Sequence, residues 1–172
     1  MPPQSHQDIS ATEWYNKGLK LLRTSKTKEA LECFTRAVEA DPKLVDAWVN
    51  KGVSLHGLGR VEEALICYEK AIETNPEHAE AWCNKGVVLC EIGKVEEALG
   101  CYKRATRIDP NFTLAWSNEG LALRKLGRFE EAIECYDKAI ELDPKIAGTW
   151  VNKGVALSQT GRPGEAVKCY DE

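Results

Sequence analysis

The 172-residue chain has no basic run: 23 Lys and Arg stand against 27 Asp and Glu, for a net charge of −4 and a pI near 5.5. Nucleic-acid phosphates therefore find little to attract them, and nucleic acid is not an expected partner. Apolar runs are only a few residues long, so no membrane span is expected. The start, MPPQSHQDIS, has neither the charged beginning nor the apolar centre of a signal peptide. The seven cysteines are odd in number, which argues against a disulfide framework; reduced thiols and a cytoplasmic protein are expected. A phosphate-cradling glycine loop, a nucleophile elbow and a zinc-binding H-E-x-x-H helix are all missing. No catalytic residue, metal or cofactor is therefore assigned.

One stretch invites a chemical reading. Residues 83–90 are CNKGVVLC, and His78-Ala79-Glu80 stands just upstream. That triplet imitates the H-x-E half of a zinc deaminase signature, but the P-C-x-x-C half is absent. The stretch is also not unique. Its relatives are YNKGLKLL, VNKGVSLH, SNEGLALR and VNKGVALS, at intervals of 34 residues. Trp14, Trp48, Trp82, Trp116 and Trp150 keep that interval, as do Gly18, Gly52, Gly86, Gly120 and Gly154. So do Ala30, Ala64, Ala98, Ala132 and Ala166, the aromatics Phe34, Tyr68, Tyr102, Tyr136 and Tyr170, and the prolines Pro42, Pro76, Pro110 and Pro144.

A 34-residue W…G…A…[FY]…A…P period closely resembles the tetratricopeptide repeat (TPR) family. The resemblance covers residues 11–172, nearly the whole chain. Setting each Trp at position 4 gives repeats 11–44, 45–78, 79–112, 113–146 and an incomplete 147–172, after a flexible leader at 1–10. The expected fold class is all-α: antiparallel helix hairpins stacked into a solenoid. In TPR proteins the first helices line the concave surface of a right-handed superhelix, and the resemblance implies that here.

The residues say why each repeat is a hairpin. Gly59, Gly93, Gly127 and Gly161 at position 15 suit the left-handed end of a first helix; repeat 1 has Ser25 there, so its turn is the least certain. Asp41, Asn75, Asp109 and Asp143 precede the prolines, and are expected to stop one helix and cap the next. A helix turns about 100° per residue, so positions 4, 8 and 11 form one packing stripe and positions 20, 24 and 27 its partner. The glycine at position 8 should let another helix come close beside the Trp. Charged positions lie opposite, with Glu134 and Lys138 expected to pair four residues apart.

The cysteines then read as packing residues. Cys83 and Cys90 sit about 10 Å apart along one helix, too far for one metal or a disulfide. Cys33, Cys67, Cys101, Cys135 and Cys169 all occupy position 23, at the edge of the apolar stripe. The lysine at position 7 (Lys17, Lys51, Lys85, Lys153) is expected to lay its stem along the neighbouring helix with its amine in water.

Candidate binding residues lie elsewhere. Asn16, Asn50, Asn84, Asn118 and Asn152 occupy position 6, about 200° from the Trp. An amide both donates and accepts, so a row of them can hold an extended peptide by its backbone whatever its side chains. This resembles the asparagine ladder of some TPR superhelices; structural or solubilising asparagines are the alternative. Arg23 and Lys125 at position 13, with His56 and Arg124 at position 12, are the expected charged flank. Acidic groups gather in repeats 2 and 3 and basic ones in repeat 4, which would suit a partner basic at one end and acidic at the other. Carboxylate-clamping TPR domains carry Lys and Asn at positions 5 and 9 of their first repeat, and a basic pair at 2 and 6 of their third. Here those are Tyr15, Leu19, Glu80 and Asn84, and only Asn50 of repeat 2 matches, so a clamp is not expected.

The resemblance and this inventory point to a non-enzymatic module binding an extended peptide or a partner helix in its concave groove. A structural or oligomerising scaffold segment is the alternative, and the recognition arm of an enzyme encoded beyond this sequence is a third reading. The array stops inside a second helix, at Tyr170-Asp171-Glu172, without a polar cap. Either the natural protein continues, or the uncapped repeat self-associates.

Overall fold

The computed structural model describes residues 9–171. Among them there are ten α-helices and no strand: α1 (Ala11–Arg23), α2 (Thr27–Ala40), α3 (Val45–Gly57), α4 (Val61–Thr74), α5 (Ala79–Glu91), α6 (Val95–Ile108), α7 (Thr113–Lys125), α8 (Phe129–Leu142), α9 (Ala147–Gln159) and α10 (Pro163–Tyr170). Most of the expected leader lies outside the described residues. Its last residue, Ser10, is the N-cap of α1, where a capping box with Glu13 satisfies two end groups.

Each repeat is one antiparallel hairpin, and the hairpins fall into two compact units, residues 1–76 and 77–172. In the first, α1 pairs with α2, α3 with α4, and α2 packs on α3. Ala37, Val38 and Ala47 are buried at that junction against Trp14, Tyr15, Leu44 and Trp48. In the second, the pairs are α5–α6, α7–α8 and α9–α10; α6 packs on α7 and α8 on α9. The first helices α5, α7 and α9 are neighbours in that order.

What sets the hairpin spacing is the meeting of positions 8 and 24. A Cβ added to Gly52, Gly86 or Gly120 would come within 2.6 Å of the ring of Tyr68, Tyr102 or Tyr136, respectively. The glycine is therefore a notch for the aromatic ring of its own hairpin, more specific than the general closeness expected beside the Trp.

The turns inside the hairpins follow expectation. Gly59, Gly93, Gly127 and Gly161 have φ of 75°, 84°, 74° and 75°. The next residue closes back on the position-11 leucine, as in Arg60 N–H to Leu55 O and Arg128 N–H to Leu123 O, both 2.9 Å. Ser25 takes the same turn at φ 58°, so the uncertain first turn is regular but carries a side chain in a left-handed site.

The turns between hairpins differ from expectation. Asp41, Asp109 and Asp143 end α2, α6 and α8, but they do not cap the following helix. Their Oδ1 atoms accept from Lys43, Asn111 and Lys145 N–H at 2.9–3.0 Å, two residues on. This fixes a turn that precedes the helix, and the prolines stand in that turn rather than in a first helical turn. The proline carbonyl has its own partner: Trp48, Trp116 and Trp150 donate Nε1–H to Pro42, Pro110 and Pro144 O at 2.9 Å. On the outer face Lys138 pairs with Glu141 at 2.7 Å, three residues away, and not with Glu134. Arg128 and Glu131 make a two-pronged pair at 2.6 Å. Such exposed pairs contribute little to stability.

Two substitutions test this account by denaturant unfolding. Gly120→Ala is expected to destabilise the protein by about 1–3 kcal/mol, because the ring of Tyr136 has no room to retreat. Ser25→Gly is expected to stabilise it by about 1 kcal/mol by relieving the left-handed serine. Unchanged midpoints would overturn both.

Candidate functional site

The asparagine row begins one turn from the start of each first helix. Asn16 is exposed, and Asn50, Asn84, Asn118 and Asn152 are half-buried. Their amides face the adjacent hairpin more closely than expected. In the first unit Asn50 donates Nδ2–H to Asp46 O at 2.9 Å and to the Tyr15 hydroxyl at 3.4 Å. In the second, Asn118 Nδ2 lies 3.8 Å from Cys83 Sγ. Lys125 Nζ repeats the relation about two turns further along, 3.3 Å from Cys90 Sγ. Positions 5 and 12 of one first helix thus meet positions 6 and 13 of the next. Within their units, Asn50, Asn118 and Lys125 sit along the seam between first helices.

The charged candidates spread along that face. Arg23 and Lys125 are exposed, while His56 and Arg124 are half-buried. The structure brings Arg124 and Lys125 together at the end of α7, in the same unit as Asn84, Asn118 and Asn152. Arg23 and His56 belong to the first unit with Asn16 and Asn50. Arg124 Nε and the Tyr136 hydroxyl are both buried without a hydrogen-bond partner among the described residues. Burial pushes the Tyr136 phenol up to about 12, and the neighbouring guanidinium charge offsets part of that rise.

The CNKGVVLC stretch resolves as structure. His78 is the N-cap of α5, its Nδ1 accepting from Ala81 N–H at 3.2 Å. All seven cysteines are buried thiols, none of them in a disulfide. Burial pushes the thiols of Cys67, Cys83 and Cys101 up to about 11 and that of Cys135 to about 12, far from the thiolate range of a reactive cysteine. Among the described residues no group of three or more His, Cys, Asp or Glu could hold a metal ion. No helix among them is long and apolar enough to cross a membrane.

Position 7 adds a contact to its expected role. The amines of Lys17, Lys51 and Lys153 stand over the rings of Trp14, Trp48 and Trp150, 5.0, 5.4 and 5.5 Å from their centroids. An indole face attracts a cation, so the ammonium stands beside the ring while Lys17 remains exposed. Lys153 also pairs with Asp137 of α8. Repeat 4 has Glu119 at this position, only 6% exposed, with its Oε2 accepting from Thr106 Oγ1 at 3.0 Å. Burial raises the carboxyl's pKa, and the Thr106 bond and the Lys103 charge partly oppose the rise.

The family model described as tetratricopeptide repeat matches residues 45–78, 79–112 and 113–146, and two further models of the same description match 11–44 and 135–168. Solved structures share the fold. The crystal structure of MamA is 24% identical with a TM-score of 0.80, covering 90% of each chain. MamA 41-end from Desulfovibrio magneticus RS-1 is 24% identical with a TM-score of 0.82, covering 94% of this chain and 91% of that one. YrrB, described as a TPR protein with an unusual peptide-binding site, is 24% identical with a TM-score of 0.76, covering 96% and 85%. At such identities the likeness concerns the fold alone. No curated protein sequence matches the chain.

The buried Glu119 gives a pH-dependent expectation. A carboxyl with a raised folded pKa holds its proton more tightly when folded, so ionising it disfavours the folded state. That penalty is absent below the ordinary value of 4.5 and grows as pH rises through it. Glu119→Gln should therefore raise the denaturation midpoint at neutral pH, with the gain disappearing below that value. An equal gain at both pH values would assign the effect to packing instead.

Proposed function

The chain belongs to the tetratricopeptide repeat family, and from that premise we propose that it is a non-enzymatic protein-interaction module. It holds an extended peptide or a helix of a partner protein in the groove lined by its first helices, with the position-6 amides as backbone contacts. The observation that carries this reading is the arrangement in the second unit. There α5, α7 and α9 run side by side with half-buried amides next to a row of half-buried aliphatics, Val87, Leu121 and Val155. Such a strip offers apolar contact to side chains and paired donors and acceptors to a backbone.

The amides are graded in what they have to give. The contact of Asn118 with a cysteine sulfur at 3.8 Å is weak and readily exchanged for a peptide carbonyl. Asn50 holds a helix carbonyl at 2.9 Å, so its oxygen is the atom it offers. Arg124 and Lys125 give the α7 end of the strip a positive charge suited to an acidic residue or a carboxylate of the partner. YrrB, which shares the fold, is described as having a peptide-binding site, and this agrees with the reading without locating a site here.

A second reading, an oligomerising scaffold without a dedicated peptide, has one observation in its favour. Val167 and Tyr170 of α10 are 58% and 49% exposed, an apolar face suited to another copy.

A random-peptide selection separates the two. The protein is expected to enrich binders that an Asn84→Ala/Asn118→Ala variant of unchanged helical content holds at least about tenfold more weakly, the loss of two hydrogen bonds. Failure to enrich any peptide, or binders indifferent to the substitutions, would overturn the amide row and favour the scaffold.

A further inference from the structure

A cleft of about 320 Å³ runs along the side of the α7–α8 hairpin, away from the amide row. Its apolar part is the indole of Trp116 with Leu123, and its walls carry Glu119, Glu134 and Cys135. The same cleft recurs in other hairpins, lined by Trp14, Lys17, Leu21 and Cys33, by Trp48, Lys51, Leu55 and Cys67, and by Trp150, Lys153, Leu157 and Cys169. In those three a lysine of the chain itself places its ammonium over the indole face. Repeat 4 keeps the indole, the leucine and the cysteine but replaces the lysine with a carboxylate. Among the described residues no cation stands over Trp116.

We propose that this cleft is a binding site for an alkylammonium group, supplied by a lysine side chain of another polypeptide or by a small free amine. The incoming cation takes the place that Lys17, Lys51 and Lys153 occupy in their own hairpins. The indole face of Trp116 attracts it through the ring quadrupole. Glu119 supplies the counter-charge and is oriented by the Thr106 hydroxyl. Two rim charges are already matched, Glu131 with Arg128 and Lys138 with Glu141, while Glu134 adds a second carboxylate to the wall. Lys103 lines the same cleft but makes no ion pair with Glu119 among the described residues, so it competes with the ligand without replacing it. Burying a carboxylate that has only the Thr106 hydroxyl and the weak Cys135 thiol as hydrogen-bond donors disfavours folding, and a ligand that neutralises it relieves that penalty.

The test follows the indole N–H signals of the tryptophans by NMR during titration with n-butylammonium chloride, with n-butanol and sodium chloride as controls. The Trp116 signal is expected to shift and saturate with n-butylammonium only, while those of Trp14, Trp48 and Trp150, whose faces are occupied, stay in place. Glu119→Gln, which keeps an acceptor for Thr106, should weaken binding about tenfold or more. Glu119→Lys, which restores the repeat's own ammonium, should abolish it. Lys103→Met, which removes the competitor, should tighten it. The tripeptide Ac-Ala-Lys-Ala-NH₂ distinguishes the sources: tighter binding than n-butylammonium assigns the site to a polypeptide lysine, weaker binding to a free amine. Equal shifts at all tryptophans, an equal response to n-butanol, or unchanged affinity in Glu119→Gln would overturn the proposal.

Discussion

The hydrogen atom that serves as the side chain at position 8 decides how the rest of the array is built. It opens a notch in each first helix, and an aromatic ring from the second helix fills it. In the first four hairpins the ring is large and buried, so it is a main part of what the hairpin buries by itself. A small residue facing a large one also fixes register, because a slip along either helix would set ring against side chain. With spacing and register fixed, the leucine at position 11 and the alanines at 20 and 27 close around the ring. The hairpin is then rigid enough to stack on the next, which buries the face it cannot cover alone.

Much of this was legible because a 34-residue period repeats every constraint. A glycine that recurs in phase with an aromatic names its own contact, and one that recurs at the middle of the repeat names a left-handed turn. Features that depend on distance within a short turn were not legible. Aspartate before proline reads equally as a cap for the next helix or as a two-residue turn. Backbone geometry chose the second, since the helix begins too far on for the carboxylate to reach its first N–H groups. The proline carbonyl that receives each indole N–H carried no signal of its own, because a backbone acceptor is the same in every residue.

The candidate surface was legible as a row but not as a seam. Helical phase puts the asparagines opposite the tryptophans. Phase cannot say how close the next first helix lies, and that distance brings Tyr15 to Asn50 and Cys83 to Asn118. Asn50 and Asn118 therefore join neighbouring first helices, and in the proposed function the same amides are offered to a peptide. The indole contact of the lysines at position 7 was missed for a related reason. A flexible ammonium was expected only to seek water, and an indole face one turn back attracts it as well. Only when three lysines are seen to fill that place does the carboxylate of Glu119 stand out as the exception.

The indole-to-proline bonds of Trp48, Trp116 and Trp150 reach from their first helices back across the boundary with the preceding hairpin, while the ring and its notch close the hairpin forward. Within each unit, contacts of both kinds overlap along the chain like shingles. This is why a repeat can be framed equally well from a first helix or, as in the match to 135–168, from the middle of a second. Duplication or excision of a full 34-residue length regenerates every contact wherever the breakpoint falls, whereas any other length leaves an indole or a ring stranded. Growth by unequal recombination is thereby quantised, and the chain can change its reach only in whole hairpins.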